Sequence, residues 1–415
     1  VKKIIVAILG IVSLLLIWGN ICLAEEIELG GDISHNLFYL SREGELSQNI
    51  TQYGLFLKKN IRGGKGKVYL SFKGGHDSIR KDSIEPVKFD EAYVDIYLKN
   101  TDLRVGRQVV SWGTADGINP TNYINPRELS LTETEPGGKP LAILKATYYG
   151  KKADMTGVIV FDFEPLEIPE ELEIAIGQLI PGFGGFPSPA EIENTLENME
   201  FALKVEKRIA DWDTKLSYFH GWEDYPALWI ELQPGSTSQF EAKSQYQQVD
   251  KVGLATAGSF KKVGLWSEIA YVMPREIEEM RNAFISFSMN KPYLQAVLGA
   301  DYTLGKVYVE GQYIYYQNGS LLSPYNQYET GEDITAGNYL MVQSSYGINQ
   351  VHSLRLAGIV NLQDSSYTLM PQYTYAINEV TDLSLGAALF LGEAGTEFGM
   401  LKIIDFINLG IKISF

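Results

Sequence analysis

Stretches of about ten residues in which apolar and polar side chains alternate recur along this chain, and nothing else in it restricts the fold as strongly. Leu409, Ile411, Ile413 and Phe415 alternate with Asn408, Gly410, Lys412 and Ser414. Leu383, Leu385, Ala387, Leu389 and Leu391 oppose Ser384, Gly386 and Ala388. Val68, Leu70 and Phe72 oppose Lys67, Ser71 and Lys73, and Phe201, Leu203 and Val205 oppose Glu200, Lys204 and Glu206. A period of two makes strands with one apolar and one polar face. Beyond Ala24 no apolar run reaches the roughly 20 residues that a spanning helix requires. If the chain enters a membrane it must therefore do so as a closed barrel, because only closure satisfies every backbone polar group in lipid.

A soluble β-sandwich shows the same alternation, and the connections separate the two. Tight links fall at Arg62–Gly66, Asn100–Asp102, Gly150–Ala153, Asp211–Asp213, Lys261–Lys262, Gly305 and Asn378–Asp382. Longer links lie between them, near 113–138, 164–198, 223–247, 274–291 and 318–336. Short turns on one side and long loops on the other are the habit of outer-membrane barrels, whereas a sandwich has no reason to sort its loops. The expectation is an all-β, transmembrane, antiparallel up-and-down barrel with long extracellular loops. Counting segments from Leu29 to Phe415 gives eighteen strands, or sixteen if the weak segments near 284–303 and 337–346 are not strands. The 25 tyrosines, many at segment ends (Tyr39, Tyr97, Tyr148, Tyr149, Tyr315, Tyr316), suit interfacial girdles. Phe415, ending an alternating strand, resembles the signal by which the outer-membrane insertion machinery reads its clients.

The first residues address the compartment. Lys2 and Lys3 precede an apolar run from Ile4 to Ile17, and Cys22-Leu23-Ala24 offers small residues where a signal peptidase cuts. Residues 1–24 are thus expected to be a signal peptide and residues 25–415 the barrel. A retained anchor is the alternative, but the run is short for it. Ile21 is too bulky for lipidation of Cys22. A mature chain cut after Ala24 has no cysteine, which removes disulfides, thiolate metal sites and thiol nucleophiles. Loss of Lys2 and Lys3 takes the net charge from −16 to −18, opposite to what nucleic acid would require.

The most informative stretch runs from Asp102 to Gly113 (DLRVGRQVVSWG), followed by Asp116, Asn119-Pro120-Thr121 and Asn125-Pro126-Arg127. Its Gly-Arg-Gln strand, Trp-Gly pair, and Pro-Thr and Asn-Pro-Arg loop resemble a family of large, functionally undefined outer-membrane barrels related to porin-like and alginate-export proteins. Gly392–Gly399 (GEAGTEFG) before the last strand resembles the same group. The resemblance implies an outer-membrane channel or export barrel and names no substrate. Unlike an alginate exporter, the chain shows no excess of arginine along its strands.

Read physically, the stretch is a strand entering a loop whose backbone is restricted by two Asn-Pro pairs and flanked by Gly113 and Gly117. Residues 113–138 are expected to fold into the barrel mouth and narrow it. Arg107 and Arg127 would then pair with Asp116 or with the strand acids Glu91 and Asp95. The candidate pore residues are Glu91, Asp95, Arg104, Arg107, Gln108, Trp112, Asp116, Asn119, Asn125 and Arg127. A clasp that only fixes strand register fits the same residues. Arg107 shares its phase with Leu103 and Val105 and would face lipid, at a cost of about 2–4 kcal/mol at mid-bilayer depth. A bulge at Gly106 or a place near the membrane edge is therefore expected.

Residues 164–198 hold eight glutamates and no lysine or arginine. Such a loop would gather cations, or metal ions that bridge lipopolysaccharide, or simply keep the surface solvated. Within it Ser188-Pro189-Ala190-Glu191 reads as a capping box for a short helix carrying Ile192, Leu196 and Met199 on one face. The polar phases of the strands offer Glu91, Asp95, Arg104, Lys204, Glu206, Glu310 and Lys412 to the lumen, a mixture of signs that argues against strong ion selectivity.

The four histidines (His35, His76, His220, His352) are scattered, without metal-binding or catalytic spacing. No enzyme activity, cofactor or resident metal is expected. The function expected is passage of a small polar solute through a porin-like channel lodged among outer-membrane lipids and lipopolysaccharide. The alternatives are polysaccharide export, or a plugged barrel whose long loops hold a partner. Oligomeric state is not legible.

Overall fold

The computed structural model describes residues 27–41, 44–61, 63–80, 87–126, 138–166, 187–232, 240–286, 288–321, 328–329 and 335–415. The first strands are β1 (Glu28–Leu40), β2 (Glu45–Ile61), β3 (Gly66–Asp77), β4 (Lys88–Tyr97), β5 (Thr101–Gln108), β6 (Leu141–Tyr149) and β7 (Asp154–Val160). They are followed by β8 (Glu200–Ile209), β9 (Trp212–Leu232), β10 (Phe240–Phe260), β11 (Val263–Pro274), the two-residue β12 (Ile285–Ser286) and β13 (Tyr293–Leu304). The last are β14 (Val307–Tyr316), the two-residue β15 (Tyr328–Glu329), β16 (Gly337–Gly347), β17 (His352–Asn361), β18 (Tyr367–Asn378), β19 (Thr381–Leu391) and β20 (Phe406–Ser414). Leaving aside β12 and β15, eighteen strands form the wall, each antiparallel to its chain neighbours.

Closure is made by β1 and β20, paired from Asp32↔Ser414 to Leu40↔Phe406. Beyond that ladder the amides and carbonyls of Gly31 and Phe415 exchange two hydrogen bonds of 2.9 Å. With no open edge, every wall strand has both its neighbours, the condition a bilayer imposes on strands.

The alternation read from the sequence sorts the two faces. On β11, Trp266, Glu268, Ala270 and Val272 point inward and are buried, while Ile269 and Tyr271 stand exposed outside. On β8, Phe201, Leu203 and Val205 face out; on β20, Ile407, Leu409, Ile411 and Ile413 do so. An apolar skin around the whole circumference has no counterpart in a water-soluble monomer and matches the lipid-facing band of a membrane barrel. None of the helices among the described residues is long and apolar enough to cross a membrane.

Short turns occupy one end. Ala210 and Asp211 link β8 to β9 with φ of 47° and 71°, the pair of positive angles that matches the twist of a two-residue hairpin. At the other end two sequence readings change. The segment 223–247, expected as a loop, is mostly strand, because β9 and β10 continue past the wall as a paired hairpin with one register shift at Tyr246/Gln248. Pro226 lies opposite Tyr246 at that irregularity, where a missing amide does little harm. The β12 strand joins the free side of this hairpin at Trp229 and Ile230, and β15 joins β12. The short helix expected after Ser188 is absent. Only a single 3-10 turn, Leu196–Asn198, forms, with no side-chain cap at Thr195. Ser244 donates to the Pro187 carbonyl (2.5 Å) and the Trp222 indole to that of Asn198 (3.2 Å), holding the segment open along the hairpin.

Candidate functional site

Chain leaving β5 turns into the barrel rather than away from it. At its base Asn125 acts as a staple. Its Oδ1 accepts the Val110 amide (2.8 Å) and its Nδ2 donates to the Gln108 (3.2 Å) and Lys139 (2.8 Å) carbonyls. Asn122 accepts the Trp112 amide at 3.1 Å. Gly113 permits a tight crossing, since a Cβ there would lie only 1.8 Å from Asn119 Oδ1. Val110, Trp112, Ile118 and Ile124 are buried. A surface loop would leave these four in water, so their burial against the inner wall favours the inward path.

The far end is held by Glu268, wholly buried on β11, six wall strands from β5. Its Oε1 accepts the Thr114 amide, the Thr114 hydroxyl (3.1 Å) and the Ala115 amide (2.7 Å). Its Oε2 accepts the Thr121 amide (3.1 Å) and hydroxyl (2.8 Å). Charge-assisted bonds of this kind are roughly twice as strong as neutral ones, and five of them meet the needs of one buried carboxylate. Gln312 on β14 donates to the Asp116 carbonyl (2.8 Å), and Lys215 on β9 to that of Gly113 (2.9 Å). The Tyr123 hydroxyl meets Ser217 Oγ at 2.5 Å, and burial pushes its pKa up to about 12. Gly117 packs beside Met341 on β16, nine wall strands from β5 and so diametrically opposite in a wall of eighteen. The loop spans the lumen.

A second loop also folds inward. Glu397, in the Gly392–Gly399 motif, accepts the Leu321 amide (2.9 Å), the Tyr339 hydroxyl (2.6 Å), Asn361 Nδ2 (2.8 Å) and the Ser320 hydroxyl. Phe398 and Leu401 are buried in the same apolar cluster as Ala115 and Ile118 of the first loop, with Ile314, Tyr339 and Phe390 of the wall. The two loops touch one core.

The predicted site residues separate into three groups. Gln108, Trp112, Asp116, Asn119 and Asn125 belong to the inward loop and its base, and Glu91 joins them by accepting the Val109 amide (3.0 Å). Asp95 and Arg104 form a lumen pair lower on the wall. The guanidinium contacts both carboxylate oxygens (2.6 and 3.0 Å) and lies 3.8 Å from the Tyr93 ring centre, while Lys67 reaches Asp95 at 3.3 Å. Arg107 departs from expectation. It pairs with Glu164 (2.7 Å), which also meets Lys139 (3.3 Å), rather than with Asp116, Glu91 or Asp95. The cause is parity: β4–β5 pairing runs through Gly106 without a register shift, so Arg107 keeps its outward phase. As the last residue but one of β5, it reaches the loop that follows β7. Arg127 lies outside the described residues.

Sequence reasoning missed Glu268 and Glu397. Glu397 lies within the Gly392–Gly399 motif but was given no role, and the only local signal for Glu268 was a charge in the buried phase of β11. The lumen charges are mixed, as the strand phases led us to expect: Arg104 pairs with Asp95 (2.6 Å) and Lys204 with Glu206 (2.9 Å). Inward cations lie at Arg104 on β5, Lys145 on β6, Lys204 on β8 and Lys215 on β9, in nearly level register. Inward acids follow on β11, β13 and β14 as Glu268, Asp301 and Glu310, and Glu310 accepts from Gln312 (2.7 Å) and Gln343 (2.5 Å).

With this architecture in view, the comparisons decide the family. The profile of DUF1302, described as a protein of unknown function, matches residues 41–271, more than half of the sequence. The chain belongs to the DUF1302 family. No curated protein matches it. Among solved structures, this DUF1302 barrel is similar to Acinetobacter baumannii OccAB2, with 9% identity, a TM-score of 0.56, and 94% of this chain and 98% of that one covered. It is similar also to Pseudomonas aeruginosa OccK5 (OpdH), with 10% identity, a TM-score of 0.54, and 94% and 97% covered. At such identity the likeness concerns the fold alone, a closed porin-like β-barrel.

Proposed function

We propose that this DUF1302 barrel is an outer-membrane channel through which small polar solutes pass, and that the loop beyond β5, within residues 113–138, narrows the path. The observation that carries the reading is Glu268, whose five loop donors hold the chain across the lumen. A loop fixed at its base by Asn125 and at its far end by a buried carboxylate is preorganised, as a size-setting element must be. The molecule acts by letting solute through and not by chemistry. Phe415, paired with Gly31 at the seam, is the residue we assign to recognition by the insertion machinery.

The test is planar-bilayer conductance of the purified barrel, alone and after deletion of residues 113–138. Ohmic steps that grow on deletion support the channel and the constriction; unchanged conductance sinks the constriction. The plugged-barrel reading has one observation in its favour, the apolar cluster shared by the two inward loops. A well-inserted barrel that stays silent until the loop is removed would support it instead.

A further inference from the structure

The short-turn end carries charge of the sign opposite to the chain as a whole. Lys65 follows β2, Lys99 lies between β4 and β5, and Lys151 and Lys152 between β6 and β7. Lys261 and Lys262 connect β10 to β11, and Lys306 precedes β14, while Lys207 and Arg208 end β8. All are exposed. The charge is one-sided as well. The turn between β16 and β17 is Ile348-Asn349-Gln350-Val351 and that between β18 and β19 is Glu379-Val380, neither with a cation. The described long loops at the other end instead expose Glu191, Glu193, Glu197, Glu276, Glu278 and Glu279.

Each basic turn also has a large exposed apolar residue close by. Ile61 ends the strand before Lys65, Leu98 precedes Lys99, Tyr148 and Tyr149 precede Lys151, Ile209 follows Arg208, Phe260 precedes Lys261, and Leu304 precedes Lys306. The Lys261 ammonium lies 5.4 Å from the Phe260 ring centre. Apolar groups that reach into acyl chains, with ammonium groups just beyond them, are the arrangement of side chains at a lipid–water boundary.

From this pattern we infer that the arc from β2 to β14 is a binding collar for anionic phospholipid headgroups of the periplasmic leaflet, and that the arc from β16 to β1 is left without one. An acidic soluble protein would also meet the lysines, but it has no use for an exposed apolar residue beside each of them. The inference rests on the barrel's lying in the outer membrane with its short turns toward the periplasm, and not on conduction through it.

The test uses the full barrel in mixed micelles containing equal amounts of phosphatidylglycerol and phosphatidylcholine, with bound lipid counted by native mass spectrometry. Expected is retention of phosphatidylglycerol over phosphatidylcholine on the order of fivefold or more, the ratio that even one engaged lysine would give. The combined variant with Lys65, Lys99, Lys151, Lys152, Lys207, Arg208, Lys261, Lys262 and Lys306 all changed to Gln should lose most of that preference. Its folding is checked by the heat-dependent shift in gel mobility, and Lys291→Gln with Lys402→Gln at the long-loop end should keep the preference. Equal retention of the two lipids overturns the inference, as does a preference that survives in the folded collar variant. Capture of soluble polyglutamate by the wild-type barrel reconstituted with phosphatidylglycerol would overturn it in favour of an acidic protein. A silent channel with the lipid preference intact would count against transport and leave the collar standing.

Discussion

Two sectors of one wall use their inward charges differently. From β5 to β9 the wall presents a basic sector of Arg104, Lys145, Lys204 and Lys215, in which Arg104 and Lys204 pair with wall acids and Lys215 donates to the Gly113 carbonyl. From β11 to β19 its inward groups hold other parts of the chain: Glu268 and Gln312 fix the first loop, and Tyr339 helps fix the second through Glu397. A strand-borne charge that has captured a loop amide is spent on structure, and one facing open lumen remains available to a solute. Glu268 is in the first condition and so is Lys215, whereas Arg104 and Lys204 stay on the wall, paired with Asp95 and Glu206. The difference comes from where loops leave and land, not from any difference between the strands themselves.

Removing the loop is the most direct way to break this comparison. Deletion of residues 113–138 should raise single-channel conductance several-fold, the largest effect expected, and bilayer recordings with unchanged step size would end the constriction reading. Next in size is Glu268→Ala. Five donors lose their acceptor, and each buried unsatisfied group costs about 1–3 kcal/mol before relaxation. The variant should unfold at distinctly lower temperature, read from heat-dependent gel mobility, and its current should become noisy as the loop loosens. Glu268→Gln, which keeps one acceptor oxygen, should fall between it and wild type.

Lys145→Glu sharpens the other half of the comparison. Lys145 sits directly opposite Arg104 in register, so reversing its charge should move the reversal potential in a salt gradient toward cation preference. An unmoved potential would mean that the basic sector does not line the conducting path. Tyr123→Phe is the mildest test, expected to cost about 1 kcal/mol for the lost bond to Ser217. It also carries a pH signature. Because the hydroxyl's folded pKa is raised to about 12 from 10, its contribution is complete below pH 10 and is lost as pH rises through 12. Wild-type loop noise should increase over that window, and the Tyr123→Phe channel should lack that increment.

Much of the fold was legible because it depends on local alternation. The apolar phases of Phe201-Leu203-Val205 and Leu409-Ile411-Ile413 and the tight link at Asp211 each follow from spacing alone. From the sequence the outer part of β9 and β10 reads as a long link, whereas their mutual pairing and the cover of β12 make the segment a strand hairpin. At the candidate site, Asn119 and Asn125 were legible because their side chains bond within the same loop. Glu268 was not, since its donors lie some 150 positions earlier in the chain.

By itself the sequence determined the strand period, the sorting of short and long connections and the parity of Arg107, all properties of neighbours within a few residues. Only the tertiary structure decided that the loop after β5 reaches the opposite wall, that Glu268 holds it there, and that Arg107 takes Glu164. Those outcomes depend on which strands closure brings face to face, and a hydrogen bond across a barrel leaves no trace in the order of residues along either strand.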